Sequence, residues 1–106
     1  MGKYVVFLGL ALCVWMCGNS EASSNRVSEN TPPDGSKIFK VYCVTCHGAY
    51  GDMQANGAKD LTKSELSLEE RVLIITKGRN VMTPFENLLS EEKIRAVAEY
   101  TMTLKK

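Results

Sequence analysis

The stretch that decides the fold is Cys43-Val44-Thr45-Cys46-His47, in which two thiols stand three residues apart and a histidine follows the second directly. Two thiols at this spacing at the end of a helix can add to the two vinyl groups of a haem, and the adjacent histidine then lies under the iron. The same thiols could instead form a redox dithiol of the thioredoxin type, or half of a zinc knuckle. The remaining sequence has to distinguish these three interpretations.

Neither alternative finds support elsewhere in the chain. A thioredoxin-like dithiol belongs beside a strand–helix–strand pattern, and no segment here alternates clearly enough to predict a strand. A zinc knuckle needs a second ligand pair, but His47 is the only histidine and the other cysteines, Cys13 and Cys17, lie in an apolar N-terminal segment. We therefore predict one haem c, covalently attached through Cys43 and Cys46, with His47 as an axial ligand of the iron.

The segments on either side of the motif predict helix and then loop. Asp34 follows two prolines and is a typical N-cap, and an apolar stripe then leads to Cys43: Ile38, Phe39, Val41 and Tyr42. Residues 47–63 are rich in Gly, Asp, Asn and Ala, which favours a loop, and a short turn is expected between Leu61 and Leu66.

Two more helices complete an all-α prediction. Ser67 and Glu70 have the capping-box spacing, and Gly78 is expected to end the helix that they begin. Pro84 and the lack of periodicity predict an extended or looped segment over residues 80–87. Ser90 then opens the last helix, whose apolar face recurs at steps of three and four residues: Ile94, Val97, Ala98, Thr101 and Leu104.

Met82 is the candidate for the second axial ligand, because a neutral sulfur favours ferrous iron and this methionine lies in the irregular segment before Pro84. The other methionines lie in the N-terminal segment, close after the histidine or within a predicted helix: Met1, Met16, Met53 and Met102. Core filling is the more common role of a lone methionine and is the alternative for Met82.

From Asp34 to Leu104 the chain resembles the class I c-type cytochromes of the short bacterial kind. The resemblance is carried by Gly35 and Phe39 before the haem motif, by Met82-Thr83-Pro84-Phe85, and by Val97 and Tyr100 in the last helix. It implies a small helical domain wrapped around one covalent haem. It also implies that the first and last helices cross closely at Gly35, with Phe39 and Tyr100 packed around the crossing.

Two departures from the family pattern affect the haem ligands. Thr83 separates Met82 from Pro84, whereas many members have proline directly after the methionine. Members also often place a proline before the leucine that follows the first loop, and its carbonyl takes the proton of the ligand histidine. Leu61 lacks such a proline, so a backbone carbonyl near Ala58 or Lys59 is expected to replace it.

The N-terminal third predicts export. Residues 1–17 carry one positive charge followed by an apolar run of about 14 residues, which suits a signal peptide and is too short to span a bilayer. Cleavage after Ala22 competes with lipidation at Cys17, and an uncleaved anchor is a third alternative. Residues 18–33 read as a flexible polar tether, and residues 34–106 as the cytochrome c domain. The expected location is periplasmic or otherwise extracytoplasmic.

With both axial positions filled the iron has no open site, so the prediction is an electron carrier and not an enzyme. The short domain is expected to be a monomer once haem fills its core. The expected partners are redox proteins, such as a respiratory donor complex and a terminal oxidase, reductase or peroxidase. A net charge of +1 excludes a nucleic-acid footprint.

The alternative function is a haem-based sensor or peroxidase-like protein with an open sixth position. Three cations could face the haem carboxylates or a partner: Lys59, Lys77 and Arg79.

Overall fold

The computed structural model describes residues 31–106. The predicted signal peptide, the cleavage site after Ala22, Cys17 and most of the predicted tether lie outside the described residues. In this part of the chain the secondary structure is helical, and the one bridge between extended residues is an isolated pair, Arg79 and Met82. The all-α prediction is therefore confirmed.

The described part of the chain contains four α-helices and two short 3-10 turns, joined by loops. The helices are α1 (Gly35–Tyr42), α2 (Val44–His47), α3 (Leu68–Lys77) and α4 (Glu91–Met102). The 3-10 turns, Ala55–Gly57 and Leu61–Lys63, lie in the loop between α2 and α3. The second turn falls where the sequence predicted one. No helix among residues 31–106 has the length and apolar character needed to cross a membrane.

The helix starts follow from side-chain caps that the sequence predicted. The Asp34 carboxylate accepts from the backbone N–H groups of the first turn of α1, at 3.0 and 3.2 Å. Ser67 and Glu70 form a reciprocal capping box, in which the Glu70 carboxylate accepts from the Ser67 N–H at 2.8 Å. Ser90 caps α4. Each cap satisfies N–H groups that the helix leaves unpaired, a contribution of about 1 kcal/mol.

The core is centred on the crossing of α1 with α4. Phe39 of α1 and Val97 of α4 are fully buried, and the rings of Phe39 and Tyr100 pack with centroids 5.2 Å apart. Gly35 lies so close to α4 that a Cβ there would meet the Ala96 carbonyl and approach Tyr100 Cβ to 2.9 Å. The close helix crossing implied by the family resemblance is therefore present.

Helix α3 packs against the other side of α4 and buries Ile75. Three apolar residues do not lie on the buried face of a helix. Val41 and Leu73 are 70% and 61% exposed, because each faces away from the α4 contact. Leu104 lies beyond the end of α4 but still packs against the core, so the chain extends the buried face past its last helical turn.

Replacement of Gly35 by alanine tests the helix crossing. Alanine has the higher helix propensity, so helix propensity alone predicts a small gain in stability. The Ala96 carbonyl is backbone and cannot move aside cheaply, so we expect Gly35→Ala to lower the free energy of unfolding of the holoprotein by about 1–3 kcal/mol. Denaturant unfolding measures the change, with the exposed Lys40→Ala on the same helix as control. A Gly35→Ala protein as stable as the control would contradict the close crossing.

Candidate haem-binding site

A cavity of about 620 Å³ lies between the end of α1, the loop after α2, and α3 with the segment that follows it. The four residues that the sequence singled out all line this cavity: Cys43, Cys46, His47 and Met82. Its volume falls within the range of about 300–1,000 Å³ that is usual for small-molecule and cofactor sites. The cysteines and His47 therefore line the same cavity as Met82, which follows them by 35–39 positions in the sequence.

The two thiols lie where α1 gives way to α2. Cys43 is the C-cap of α1 and the N-cap of α2, and both cysteines are half-buried and free of any disulfide. Burial, and secondarily the neighbouring Cys46, raise the pKa of the Cys43 thiol to about 11. Redox-active dithiols depend on a lowered thiol pKa, so the environment of Cys43 is unsuited to a thioredoxin-like reaction.

The imidazole of His47 is held in one tautomer. Its Nδ1 lies 3.0 Å from the carbonyl oxygen of Lys59. A carbonyl can only accept, so Nδ1 carries the proton and the lone pair is on Nε2, the atom left to bind a metal. Burial lowers the pKa of His47, and the weaker opposing effect is the hydrogen bond to Lys59. The sequence expectation of a carbonyl near Ala58 or Lys59 is confirmed at Lys59.

The loop that carries Met82 is shaped by backbone contacts. Gly78 ends α3 with φ of +73°, and Asn80 also has a positive φ, of +55°. The Met82 N–H donates to the Arg79 carbonyl at 3.0 Å, and the Phe85 N–H donates back to Ile75 of α3 at 3.0 Å. Met82 is half-buried against the core. These contacts close a short loop that places Met82 in the cavity wall.

The cations named from the sequence divide into two groups. Lys59 and Arg79 line the cavity and are largely exposed, whereas Lys77 pairs with Glu86 at 2.6 Å on the surface. Sequence reasoning missed Arg71, which is only 5% exposed and also lines the cavity. The available signal was its position three residues after Leu68 and four before Ile75, on the face of α3 that turns inward.

The residues present fit a covalently attached haem. The cavity offers two thiols for thioether bonds, an imidazole with its Nε2 lone pair free, and a thioether sulfur, which together are the donor set of a low-spin haem c. Its wall is otherwise rich in large apolar side chains, which suit a flat macrocycle: Phe39, Tyr42, Leu61, Ile74, Ile75 and Phe85.

Comparison with known proteins agrees with this geometry. Residues 30–100 match the family described as "Cytochrome C oxidase, cbb3-type, subunit III". Cytochrome c6 of Leptolyngbya boryana is 38% identical over 64% of this chain and 86% of its own length. A cytochrome c6-like protein of Nostoc sp. (strain PCC 7120) is 34% identical over 91% of this chain and 90% of its own length. The solved structure of the KustC0563 c-type cytochrome superposes with a TM-score of 0.63 at 30% identity, covering 69% of this chain and 99% of that one.

Two glycines with left-handed backbones provide a matched test of the Met82 loop. At Gly78 a Cβ would meet the Met82 carbonyl and approach the nitrogen of Pro84 to 2.9 Å, whereas at Gly57 no atom lies within 4 Å. Both have a positive φ, of +73° at Gly78 and +80° at Gly57, so alanine strains the backbone at either position. We expect Gly78→Ala to lower the unfolding free energy of the holoprotein by about 1–3 kcal/mol more than Gly57→Ala. Equal losses would show that Gly78 does not shape the loop.

Proposed function

Because the chain belongs to the class I c-type cytochromes, electron carriers with one covalently bound haem c, we propose that its haem is attached at Cys43 and Cys46 and ligated by His47 and Met82. The observation that carries this proposal is that all four side chains line one cavity while His47 is oriented by the Lys59 carbonyl. With both axial positions used, the protein exchanges single electrons and catalyses no reaction of its own.

Each residue of the proposed site has a definable task. When bound, the haem supplies the one-electron exchange between ferric and ferrous iron. The Lys59 carbonyl holds the Nδ1 proton of His47, which fixes the ring and makes Nε2 a better donor. Met82 supplies a soft sulfur that favours the ferrous state. The aromatic rings of Phe39 and Phe85 exclude water from the cavity.

Partner docking is proposed at the mouth of the same cavity. Tyr42 and Val81 line the cavity and are 43% and 76% exposed, so they give the opening an apolar rim. A net charge of +1 provides little long-range steering. Docking to a respiratory donor complex and to an oxidase, reductase or peroxidase therefore depends mainly on this small apolar surface, and should respond only moderately to salt.

We further propose that the domain acts outside the cytoplasm. Residues 1–17 would direct export, and residues 18–33 would tether the domain if Cys17 is lipidated. Any disordered chain of about 15 residues would reach roughly 20 Å from the membrane surface on average. Cleavage after Ala22 would instead release the domain into the same compartment.

The ligand assignment predicts a methionine-dependent absorption spectrum. After expression with haem c maturation machinery, the ferric protein should show the weak long-wavelength band of methionine bound to ferric iron. Met82→Ala should abolish that band and lower the reduction potential. Met53→Ala, which removes a half-exposed methionine from the loop after His47, should change neither.

One outcome of this experiment would contradict the assignment of Met82 as an axial ligand. If covalent haem is present but the wild-type protein lacks the methionine band and its reduced form binds carbon monoxide rapidly, Met82 is not a ligand. The open sixth position would then favour a haem-based sensor or a peroxidase-like protein.

The export proposal is checked by mass spectrometry of the protein made in a Gram-negative host. The mature chain should begin at Ser23, or at a Cys17 that carries lipid, and it should be found outside the cytoplasm. If Cys17 is lipidated, Cys17→Ser should move the protein from the membrane fraction to the soluble periplasmic fraction. A full-length chain beginning at Met1 would contradict both forms of processing and leave only an uncleaved anchor.

A further inference from the structure

Arg71 is a buried cation whose hydrogen bonds all go to neutral oxygen atoms. Its Nε donates to the Leu66 carbonyl at 3.1 Å, and one terminal nitrogen donates to the Ser64 carbonyl at 3.0 Å. The other terminal nitrogen donates to both the carbonyl and the hydroxyl of Thr101, each at 3.0 Å. These bonds fix the guanidinium group in place but do not neutralise its charge.

No carboxylate in the described part of the chain forms a salt bridge with Arg71, although buried charges are usually paired. The acid whose charge influences it is Glu65, which is 81% exposed and pairs with Lys105 at 3.0 Å. Burial lowers the pKa of Arg71, and Glu65 opposes this effect. A guanidinium group nevertheless stays charged at every physiological pH.

The fixed charge stands in the wall of the haem cavity. Arg71 and the three residues that accept its hydrogen bonds, Ser64, Leu66 and Thr101, all line that cavity. Lys59 and Arg79 line it as well, but both are exposed, and water screens their fields. Of these three cations, Arg71 is the one whose charge acts on the cavity through protein of low polarisability.

We propose that Arg71 raises the reduction potential of the haem by supplying an internal positive charge that no carboxylate of residues 31–106 pairs with. Reduction adds one electron, delivered by the redox partner, and lowers the charge of the haem by one unit. A nearby positive charge therefore favours the ferrous over the ferric state and raises the potential. This role rests on the proposed function, because it requires the haem to occupy the cavity. Arg71 acts through its field and is not a ligand.

The direct test is a spectroelectrochemical titration of the holoprotein. Arg71→Gln removes the charge and keeps a hydrogen-bonding amide, so the ratio of ferrous to ferric protein at a fixed electrode potential should fall about tenfold, a shift of about 59 mV. Arg95→Gln is the matched control, since it removes the same charge from a side chain that is 51% exposed on α4. It should change the ratio by less than about twofold. Equal effects of the two variants would overturn the proposal.

A second control separates charge from structure. Arg71 also ties α3 and residues 64–66 to α4, so its loss could alter the potential by loosening the cavity. Thr101→Val removes the hydroxyl acceptor of Arg71 but leaves its charge in place. The proposal expects Thr101→Val to reduce stability while leaving the potential near that of the wild type. A potential that falls as far as in Arg71→Gln would assign the effect to packing and overturn the proposal.

Ser64→Asp tests the charge in a protein that retains Arg71, in case Arg71→Gln does not assemble with haem. An aspartate there can keep the hydrogen bond that Ser64 Oγ accepts from the Leu66 N–H, and it brings a carboxylate beside the guanidinium. The ferrous-to-ferric ratio should fall by a factor similar to that expected for Arg71→Gln, and an unchanged ratio would overturn the proposal. The absorption spectra report haem attachment and Met82 ligation separately, so failure of the proposed ligands is distinguishable from failure of the Arg71 proposal.

Discussion

The close approach of α1 and α4 at Gly35 is the contact on which the rest of the structure depends. The absence of a side chain at Gly35 lets the helices cross with Phe39 fully buried between them. Because Cys43 caps the end of α1 and His47 ends α2 directly after it, the direction of α1 determines where the thiols and the imidazole lie. A shift of this crossing would move Cys43, Cys46 and His47, the proposed haem-attachment motif, together.

The candidate site combines that rigid unit with two segments held by backbone hydrogen bonds. The loop after α2 brings the Lys59 carbonyl to His47 from a distance of twelve residues. The Met82 loop is closed by the bond from Phe85 back to Ile75, and its tight turn depends on Gly78. Main-chain atoms thus orient both proposed axial ligands, so these positions depend on backbone conformation more than on neighbouring side chains.

A domain of about 75 residues buries a limited core, and a prosthetic group that fills a cavity of about 620 Å³ would add much of the missing apolar contact. A buried charge in the wall of this cavity interacts more strongly with a bound group than an exposed charge does, because protein screens less than water. Arg71 is such a charge, held by carbonyl groups and a hydroxyl. The same side chain therefore joins α3 to α4 and adds a positive charge to the cavity wall. On the proposal made for Arg71, folding and redox tuning are coupled in this small protein.

The sequence by itself indicated three of the four helices, α1, α3 and α4, their caps at Asp34, Ser67 and Ser90, and the four candidate haem residues, because caps, periodicity and the Cys-x-x-Cys-His spacing are local patterns. Only the tertiary structure decided which carbonyl orients His47 and that Arg71 is buried. Both depend on contacts between segments 12 and 30 residues apart, and no local pattern specifies such contacts.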